Sequence, residues 1–503
     1  MKTAIVIGAG VGGLAAAIHL ARAGVHVRLL ERGATVGGKL REIDVGGAKV
    51  LAGPSVFTMR AVFEELFDGR LSEYVTLRAV DPLCRHFFAD GARLDLHSDA
   101  ERSRDAIRAL SGARDADGYL RYRKHAAKIY EVVRGPFMEN AVPSLFDFIS
   151  PRALWQMTRI DGLRTLARAL EEFFVDPRLR QLFGRYATYN GSSPFHAPAT
   201  LAVIAHVENA YGIFAVAGGI VRLAEALRRR AEELGVEVVT GAEVEEIVVE
   251  PAGGPLATTL RARGVRVAGA GGEATGRSHV EWADCIVANC DVADAYERLL
   301  GATAPAQKQL RKYREEELSL SAYVLLAVGA AAPLPLIHHD VFFSGDYARE
   351  FEELVVERRP PADPTVYVCA ETAERLFLLT NAPPLDPRGA TLDWSVEAPQ
   401  CRARIERVLA RHGWTLTPSA THEITPPDFA ARFGGSKGAL YGLASNSRVA
   451  AFKRPANTLP GIAGLYFCGG SVHPGAGLPM VALSARIATK LALAAEGRAT
   501  LPT

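Results

Sequence analysis

The sequence lacks a charge excess of either sign. Its 58 Lys and Arg residues nearly balance its 56 Asp and Glu residues, which gives a formal net charge of +2 over 503 residues. Proteins that bind nucleic acid typically carry a basic excess or a basic stripe, because they must neutralise phosphates. The charge balance therefore argues against a nucleic-acid partner, while a local basic patch that faces a membrane surface is compatible with it.

Cysteine is scarce and scattered. The chain has six cysteines, and they form no Cys-x-x-Cys pair and show no Cys/His ligand spacing. They are Cys84, Cys285, Cys290, Cys369, Cys401 and Cys468. We therefore expect neither a metal site nor a disulfide framework. Proteins without disulfides are typical of reducing compartments, so we expect a cytoplasmic location.

Long uninterrupted apolar runs are also lacking. Three uncharged stretches, residues 3–21, 318–339 and 459–485, have the length of a signal peptide or a membrane span, but glycine or proline interrupts each of them. We interpret all three as buried core. The composition, 49% hydrophobic and 23% charged, is that of a globular protein and excludes disorder of the bulk of the chain.

The N-terminus has the pattern of a dinucleotide-binding unit. An apolar strand pattern leads into a Gly-x-Gly-x-x-Gly loop, a helical pattern follows, and a second strand pattern ends at Glu31. These glycines permit a tight turn, backbone approach to a pyrophosphate and close helix–strand packing, and the helix N-terminus attracts the diphosphate. Glu31 is expected to accept hydrogen bonds from an adenosine ribose. The predicted cofactor-binding residues here are Gly8, Ala9, Gly10, Val11, Gly12, Gly13 and Glu31.

NAD and FAD both use this loop, and the residues after Glu31 distinguish the two. A basic, glycine-rich segment follows, with a paired glycine before a basic residue. It resembles the continuation found in flavoproteins of the amine oxidase and phytoene desaturase superfamily, whose paired glycines and basic residue pass close to the diphosphate and the flavin. This resemblance implies FAD as the cofactor. It adds four residues to the predicted cofactor site, which are Arg32, Gly38, Lys39 and Leu40.

Near the C-terminus, a strand pattern is followed by a loop rich in glycine and proline and then by a helix. Pro479 suits the first turn of that helix, where its missing N–H costs nothing. A helix N-terminus there would stabilise the negative charge that a flavin acquires on reduction. The segment, residues 465–480, resembles the signature of carotenoid desaturases of the phytoene desaturase type. The cofactor-binding residues that it adds are Gly469, Gly470, Gly477, Leu478, Pro479 and Met480.

The resemblance to this family covers essentially the whole chain. Gly53, Pro54 and Ser55 resemble the family's turn near the flavin, and the backbone of Val244 would meet the adenine. Residues 176–194 resemble the family's central helical motif. Residues 338–344, residues 441–442 with 445–447, and residues 469–471 resemble most the branch that acts on hydroxylated carotenoids, the 1-hydroxycarotenoid 3,4-desaturases (methoxyneurosporene or hydroxyneurosporene dehydrogenases). Lys39 is a departure, because arginine is commoner there; lysine keeps the charge but loses the bidentate fork.

We therefore expect an α/β fold in which a Rossmann-like, discontinuous FAD-binding domain carries an inserted α+β substrate domain. The expected FAD-binding domain comprises residues 1–75, 215–300 and 445–503. The expected substrate and membrane-facing domain comprises residues 76–214 and 301–444.

The implied reaction is desaturation of a polyene by hydride transfer to the flavin, with loss of a proton from the neighbouring carbon. The resulting cation is delocalised, so positioning is the main catalytic requirement and no strong base is needed. Two side chains are candidates for a catalytic role, His473 and Asp147; a loop histidine bonded to backbone and a solvated pair of Asp147 with Arg152 are the alternatives. His338 and His339 would receive a terminal substrate hydroxyl or lie on the surface at a strand end.

An apolar carotenoid substrate implies peripheral association with a membrane, through an amphipathic, partly basic surface near residues 136–168. Because no second dinucleotide loop is present, quinone or oxygen is the expected electron acceptor. Alternatives within the superfamily are a phytoene or diapophytoene desaturase, a carotenoid isomerase and a retinoid saturase. A flavin-bearing carotenoid-binding protein without turnover and an amine oxidase are further alternatives. Substrate length, the number of double bonds formed and the oligomeric state stay open.

Overall fold

The computed structural model describes residues 1–141, 160–252, 259–269, 278–330, 336–385, 392–447 and 450–497. The strands in chain order are β1 (Thr3–Ile7), β2 (His26–Glu31), β3 (Glu42–Val45), β4 (Ala48–Leu51), β5 (Leu77–Ala79), β6 (Cys84–Phe87), β7 (Arg93–Leu96), β8 (Phe214–Val216), β9 (Glu237–Thr240), β10 (Val244–Pro251), β11 (Leu260–Val267), β12 (His279–Trp282), β13 (Cys285–Ala288), β14 (Ser321–Val328), β15 (His339–Phe342), β16 (Val366–Thr372), β17 (Arg375–Ala382), β18 (Ala420–Ile424), β19 (Thr458–Leu459) and β20 (Ile462–Phe467).

The α-helices in chain order are α1 (Val11–Arg22), α2 (Arg60–Leu66), α3 (Ala100–Ser111), α4 (Ala113–Val133), α5 (Leu166–Phe173), α6 (Pro177–Gly184), α7 (Ala202–Tyr211), α8 (Arg222–Glu233), α9 (Val292–Asp294), α10 (Ala304–Glu315), α11 (Tyr347–Phe351), α12 (Trp394–Arg411), α13 (Pro426–Phe433), α14 (Ala450–Lys453) and α15 (Leu478–Ala495).

The first sheet has the order β10-β11-β20-β13-β1-β2-β9, with β12 and β19 attached. β1 lies between β13 and β2 and runs parallel to both. β20 runs parallel to β13, so that Ile7, Ala288 and Phe467 end three neighbouring strands at one edge. Ligands of open α/β sheets bind outside the carboxyl ends of the parallel strands. The topology therefore brings the N-terminal and C-terminal glycine loops together.

The helices that follow these two loops pack on each other. α1 and α15 are in extensive contact, and both are rich in alanine, which permits a close approach. By length and composition α15 is apolar enough to cross a membrane, but 61% of its most apolar window is buried inside the protein. This burial agrees with the interpretation of its segment as core.

The second sheet has the order β18-β14-β17-β16-β15-β6-β7. Its strand β14, which lies between β18 and β17, is buried on both faces, and alternate residues pack into two different clusters. Val324 packs toward the first sheet and its helices, whereas Leu325 packs against α12. The period-two alternation of a strand explains this division. The helices α3 to α7 cover β6 and β7 in a third cluster.

The two sheets confirm the expected α/β fold with a Rossmann-like parallel sheet. Strands of the first sheet come from residues 3–31, 237–288 and 458–467, and those of the second come from residues 84–96, 321–382 and 420–424. The exact domain boundaries stay a prediction. The sequence also predicts helix over residues 99–129, and α3 and α4 occupy this stretch, with Gly112 between them at a φ of +91°. It further predicts a hairpin turn at residues 269–272, of which residues 270–272 lie outside the described residues.

Candidate FAD and substrate site

A cavity of about 1610 Å³ lies against the glycine loops and reaches the second sheet and α7. An ordinary ligand pocket measures about 300–1,000 Å³. The cavity therefore has room for a second ligand beside a dinucleotide. Most predicted cofactor residues line it, namely Gly8, Gly10, Val11, Gly12, Glu31, Arg32, Gly38, Lys39, Leu40, Gly53, Pro54, Ser55, Val244, Gly469, Gly470, Gly477, Leu478, Pro479 and Met480.

Two predicted residues, Ala9 and Gly13, contribute from behind the cavity wall. The backbone N–H of Ala9 donates to Oε2 of Glu31 at 2.7 Å. A Cβ added at Gly13 would lie 1.9 Å from the carbonyl oxygen of Gly8. Gly13 is therefore required for the close helix–strand packing that the sequence predicts. The loop it fixes places the N-terminus of α1 at the cavity.

Glu31 already has backbone partners. Its Oε1 accepts the N–H of Gly33 at 2.8 Å, while its Oε2 accepts the N–H of Ala9. Each carboxylate oxygen has a second lone pair, so a ribose hydroxyl can still donate to it. Glu31 thus closes the glycine loop as well as lining the cavity, and its contact with ribose stays a prediction.

Asn289 is a site residue that the sequence analysis missed. It follows β13, its Nδ2 donates to the Gly8 carbonyl at 3.3 Å, and its Oδ1 accepts from the Cys468 thiol at 3.6 Å. A Cβ at Gly12 would lie 2.4 Å from the same Oδ1. Asn289 therefore ties the N-terminal loop to the C-terminal one. Its position directly after a buried parallel strand was the signal that could have identified it.

The C-terminal loop presents a free helix end to the cavity. Gly477 precedes α15 with a φ of +109°, and no side chain caps the helix. Leu478, Pro479 and Met480 line the cavity at this end. The first-turn N–H groups and the helix dipole face the region where a flavin ring would bear negative charge on reduction. A dinucleotide turn, an acidic residue and two helix N-termini thus meet at one cavity, and this arrangement fits FAD.

Of the two catalytic candidates, the structure describes only His473. His473 is fully buried behind the cavity wall, where its Nε2 donates to the Asn140 carbonyl at 2.9 Å and its ring meets Phe137 edge-on. Burial lowers the pKa of His473 to about 4, so the ring is neutral near pH 7. This geometry favours the structural alternative, a loop histidine bonded to backbone. Asp147 and its neighbour Arg152 lie outside the described residues.

The basic segment contributes a cation to the cavity. The Lys39 side chain is exposed to the cavity, its Nζ donates to the Leu440 carbonyl at 2.6 Å, and it lies 5.4 Å from the Phe433 ring centroid. Burial within the protein lowers the pKa of Lys39, and the nearby Asp291 carboxyl opposes that shift. Arg32 is exposed and donates to the Arg432 carbonyl. Both cations line the cavity, and their contact with the diphosphate and flavin stays a prediction.

Arg454 is a second residue that the sequence analysis missed. It is 5% exposed, and its guanidinium donates to the carbonyls of Tyr441, Leu443 and Gly470 at 2.9–3.0 Å. Gly470 belongs to the predicted flavin loop, and Tyr441 also lines the cavity. Arg454 therefore fixes the backbone around the cavity with hydrogen bonds that a shorter or uncharged side chain would not make.

Arg454→Met is expected to lower the free energy of unfolding by about 3 kcal/mol or more, because it leaves three buried carbonyls unsatisfied. We also expect weaker flavin retention. Thermal unfolding and flavin absorbance after gel filtration measure the two effects. The matched control is Lys453→Met, which removes an exposed ion pair with Glu316 and should cost less than about 1 kcal/mol. Equal effects of the two variants would contradict this role.

Polar side chains continue from the predicted flavin turn into the second sheet. Ser55 Oγ lies 2.7 Å from the Tyr367 hydroxyl, which lies 2.7 Å from Nδ1 of His339. Ser55 and Tyr367 line the cavity, whereas His339 is buried behind Tyr367. Neither His338 nor His339 is among the described residues that line the cavity, which argues against a role in receiving a substrate hydroxyl. They stand at the start of β15, where His338 is half-buried and His339 is buried.

Glu350 lies behind the cavity wall and holds one of its lining residues. Its Oε2 accepts from the hydroxyls of Ser344 and Thr365, both at 2.7 Å, and its Oε1 accepts the Thr365 backbone N–H at 3.0 Å. Thr365 lines the cavity. Glu350 is 1% exposed, and burial raises its pKa from 4.5 to about 7.

Glu350→Gln is expected to flatten the pH dependence of stability. The folded pKa of Glu350 lies above its unfolded value, so its contribution is complete below about pH 4.5 and is lost as the pH rises through about 7. The loss amounts to about 3 kcal/mol. Thermal midpoints measured from about pH 5 to pH 8 should therefore fall further for the wild type than for the variant. Parallel curves would show that Glu350 does not titrate as described.

The remaining cavity wall is largely apolar. It is built from the end of α4, the segment after it, and one face of α7. The described residues of this apolar arm are Val132, Val133, Pro136, Phe137, Met138, Ile160, Leu163, Pro198, Leu201, Val203, Ile204 and Val207. Such a surface suits a hydrocarbon ligand and excludes water from it.

Comparisons with known proteins agree with this site. Flavin containing amine oxidoreductase is the family that matches, over residues 11–323. The chain is 38% identical to the hydroxyneurosporene desaturase of Rubrivivax gelatinosus, over 97% of this chain and 93% of that protein. It is 33% identical to the 4,4'-diapolycopene oxygenase of Methylomonas sp, over 96% of each protein.

An oxidoreductase structure from Methanosarcina mazei matches with a TM-score of 0.61, at 16% identity, over 96% of this chain and 99% of that one; this likeness shows the fold alone. The expected resemblance, fold class and FAD cofactor are thereby confirmed. The chain belongs to the flavin containing amine oxidoreductase family, where it groups with the carotenoid desaturases, and it is an FAD-dependent oxidoreductase.

Proposed function

We propose that this chain is a carotenoid desaturase that introduces a double bond at the 3,4 position of a 1-hydroxylated acyclic carotenoid. The observation that carries the proposal is one cavity that joins the FAD-binding loops to the apolar arm. The apolar arm offers the kind of surface that a polyene substrate requires. The full-length similarity to a hydroxyneurosporene desaturase supports the hydroxylated end group and the reaction.

Desaturation removes two hydrogens from adjacent saturated carbons, one as hydride and one as a proton. FAD, when bound, supplies the hydride acceptor. The chain's own residues hold the polyene: the apolar arm orients it and keeps water away from the reacting carbons. The cation left by hydride loss is conjugated with the polyene, so the neighbouring C–H bond is acidic and a weak base suffices to take its proton. No strong general base is therefore required of the cavity wall.

The proposal is tested by incubating the purified flavoprotein with a 1-hydroxylated carotenoid and an artificial acceptor. We expect a product that has lost two hydrogens, with its absorption maximum moved to longer wavelength by one added conjugated double bond. Parallel incubations with phytoene-like, diapophytoene-like and retinoid substrates test the other superfamily activities. A product of unchanged mass would indicate an isomerase instead.

An oxygenase is the second candidate, because a full-length relative is named 4,4'-diapolycopene oxygenase. The two reactions differ in product mass, since an oxygenase adds oxygen and a desaturase only removes hydrogen. Aerobic incubation under labelled oxygen distinguishes them. Incorporation of label into the carotenoid would overturn desaturation as the main reaction.

We further propose that the protein acts in the cytoplasm, peripherally bound to a membrane. Leu163 lines the apolar arm and is 74% exposed, so an apolar side chain stands where the arm meets the surface. A carotenoid dissolved in lipid would enter there. Co-sedimentation with anionic lipid vesicles is the expected result. Protein that stays in solution at both low and moderate salt would contradict the proposal.

For the electron acceptor we propose a quinone or oxygen, because the N-terminal loop is the only dinucleotide fingerprint in the sequence. Rapid reoxidation of the reduced protein by a soluble quinone or by air, with no reoxidation by NAD, is the expected result. Reoxidation by NAD alone would contradict it.

A further inference from the structure

A charged pair interrupts the apolar wall of the cavity. Arg185 and Glu208 both line the cavity, and they are only 7% and 2% exposed. Arg185 comes from the 3-10 helix Arg185–Asn190, and Glu208 comes from α7. Two buried charges beside a hydrocarbon-binding surface are costly unless they find polar partners.

Aromatic side chains supply some of those partners. The Arg185 guanidinium lies over the rings of Tyr186 and Tyr189, 5.7 and 5.3 Å from their centroids, and Nη2 is 3.5 Å from the Tyr189 hydroxyl. The Tyr186 hydroxyl donates to Oε2 of Glu208 at 2.8 Å. Rings and hydroxyls together hold the two charges in place at the cavity wall.

The two charged groups are not fully paired within the protein. Across the described part of the chain, Nε of Arg185 and Oε1 of Glu208 lie buried without a hydrogen-bond partner. One atom is a donor and the other is an acceptor. A guanidinium donates and a carboxylate accepts, so a hydroxyl group in the cavity can pair with both side chains, whereas a hydrocarbon end pairs with neither.

The pair lines the same cavity as the predicted flavin turn. Tyr189, which lies beside Arg185, lines that cavity together with Tyr367, and the Tyr367 hydroxyl contacts Ser55 of the turn. In a 1-hydroxylated carotenoid the hydroxyl carbon is two bonds from C3. A site that holds the hydroxyl therefore also places the 3,4 bond.

We propose that Arg185 and Glu208 form a subsite that binds the tertiary hydroxyl of the substrate's end group. This inference rests on the proposed function and assigns its specificity to two residues. Arg185 donates a hydrogen bond to the hydroxyl oxygen, and Glu208 accepts a hydrogen bond from the hydroxyl group. A carotenoid with hydrogen in place of the hydroxyl leaves both groups unpaired in the cavity wall. A site built for a polar group rejects an analogue that lacks it far more strongly than an apolar pocket rejects an added group.

The test compares kcat/KM for a 1-hydroxylated carotenoid with that for its deoxy analogue. We expect the wild type to prefer the hydroxylated compound by at least about 100-fold. The double variant Arg185→Met with Glu208→Met removes both charges together, which a buried pair tolerates better than the loss of one partner. It should reduce the preference at least about 100-fold, mainly by gaining or keeping activity on the deoxy analogue while losing it on the hydroxylated compound.

Tyr119→Phe is the matched control. Tyr119 is buried near the same helix, its hydroxyl lies 3.5 Å from Asn209, and it does not line the cavity. The Tyr119→Phe variant should prefer the hydroxylated carotenoid over its deoxy analogue as strongly as the wild type does. If the double variant retains no FAD, Glu208→Gln and Tyr189→Phe are measured instead, and each should reduce the preference at least about tenfold.

A preference that survives these substitutions overturns the subsite, as does an equal loss of activity on both compounds with normal FAD content. Failure of the proposed function gives a different result. In that case the wild type itself converts neither carotenoid, or it converts both at the same rate.

Discussion

Gly13→Ala is expected to purify without bound flavin. The new methyl group would lie 1.9 Å from the Gly8 carbonyl, a distance that forces the loop and α1 apart. The obstacle is backbone, so no side chain can move aside. Overpacking of this kind costs about 1–3 kcal/mol, and because the strain falls on the diphosphate-binding loop we expect FAD affinity to fall by about 10- to 100-fold or more.

Flavin absorbance per polypeptide, before and after reconstitution with excess FAD, measures this effect. Gly135→Ala is the control, because a Cβ there meets no atom within 4 Å. It should retain full flavin content. A Gly13→Ala protein as yellow as the control, with the same FAD affinity, would show that the loop does not hold the cofactor.

Ile204→Trp is expected to abolish carotenoid conversion while FAD stays bound. Ile204 lines the apolar arm on α7, one helical turn before Glu208. Residues at i and i+4 share a helix face, so an indole at position 204 fills the approach to position 208. We expect kcat/KM to fall at least about 100-fold, because the polyene can no longer reach a productive position.

The measurement is single-turnover conversion by protein of normal flavin content. Ala210→Trp places the same side chain at an exposed position of the same helix and should convert substrate as the wild type does. Conversion by Ile204→Trp within about twofold of that control would mean that the arm is not the substrate path.

The cofactor part of the site was predictable because its signals are local. The glycine loop, Glu31 and the loop before α15 each combine a spacing with a neighbouring strand or helix, and the structure brings them to one cavity. Asn289 was missed because one asparagine after a strand has no spacing of its own. Only the parallel register of β13 with β1 shows its role.

The site residues outside these motifs were not predictable in the same way. Arg185 and Glu208 come from separate elements, and Arg454 acts through carbonyls that no sequence pattern marks. Tertiary packing creates these contacts. His473 is the converse case, since its position in a conspicuous motif drew attention to a ring that the fold buries behind the cavity.

Anaerobic single turnover of the FAD-loaded protein tests the central claim most directly. One equivalent of 1-hydroxylated carotenoid should reduce the flavin fully, and one equivalent of product with one more double bond should form without oxygen or any added acceptor. Flavin that stays oxidised while the carotenoid remains unchanged, or that is bleached by simple amines instead, would contradict the account.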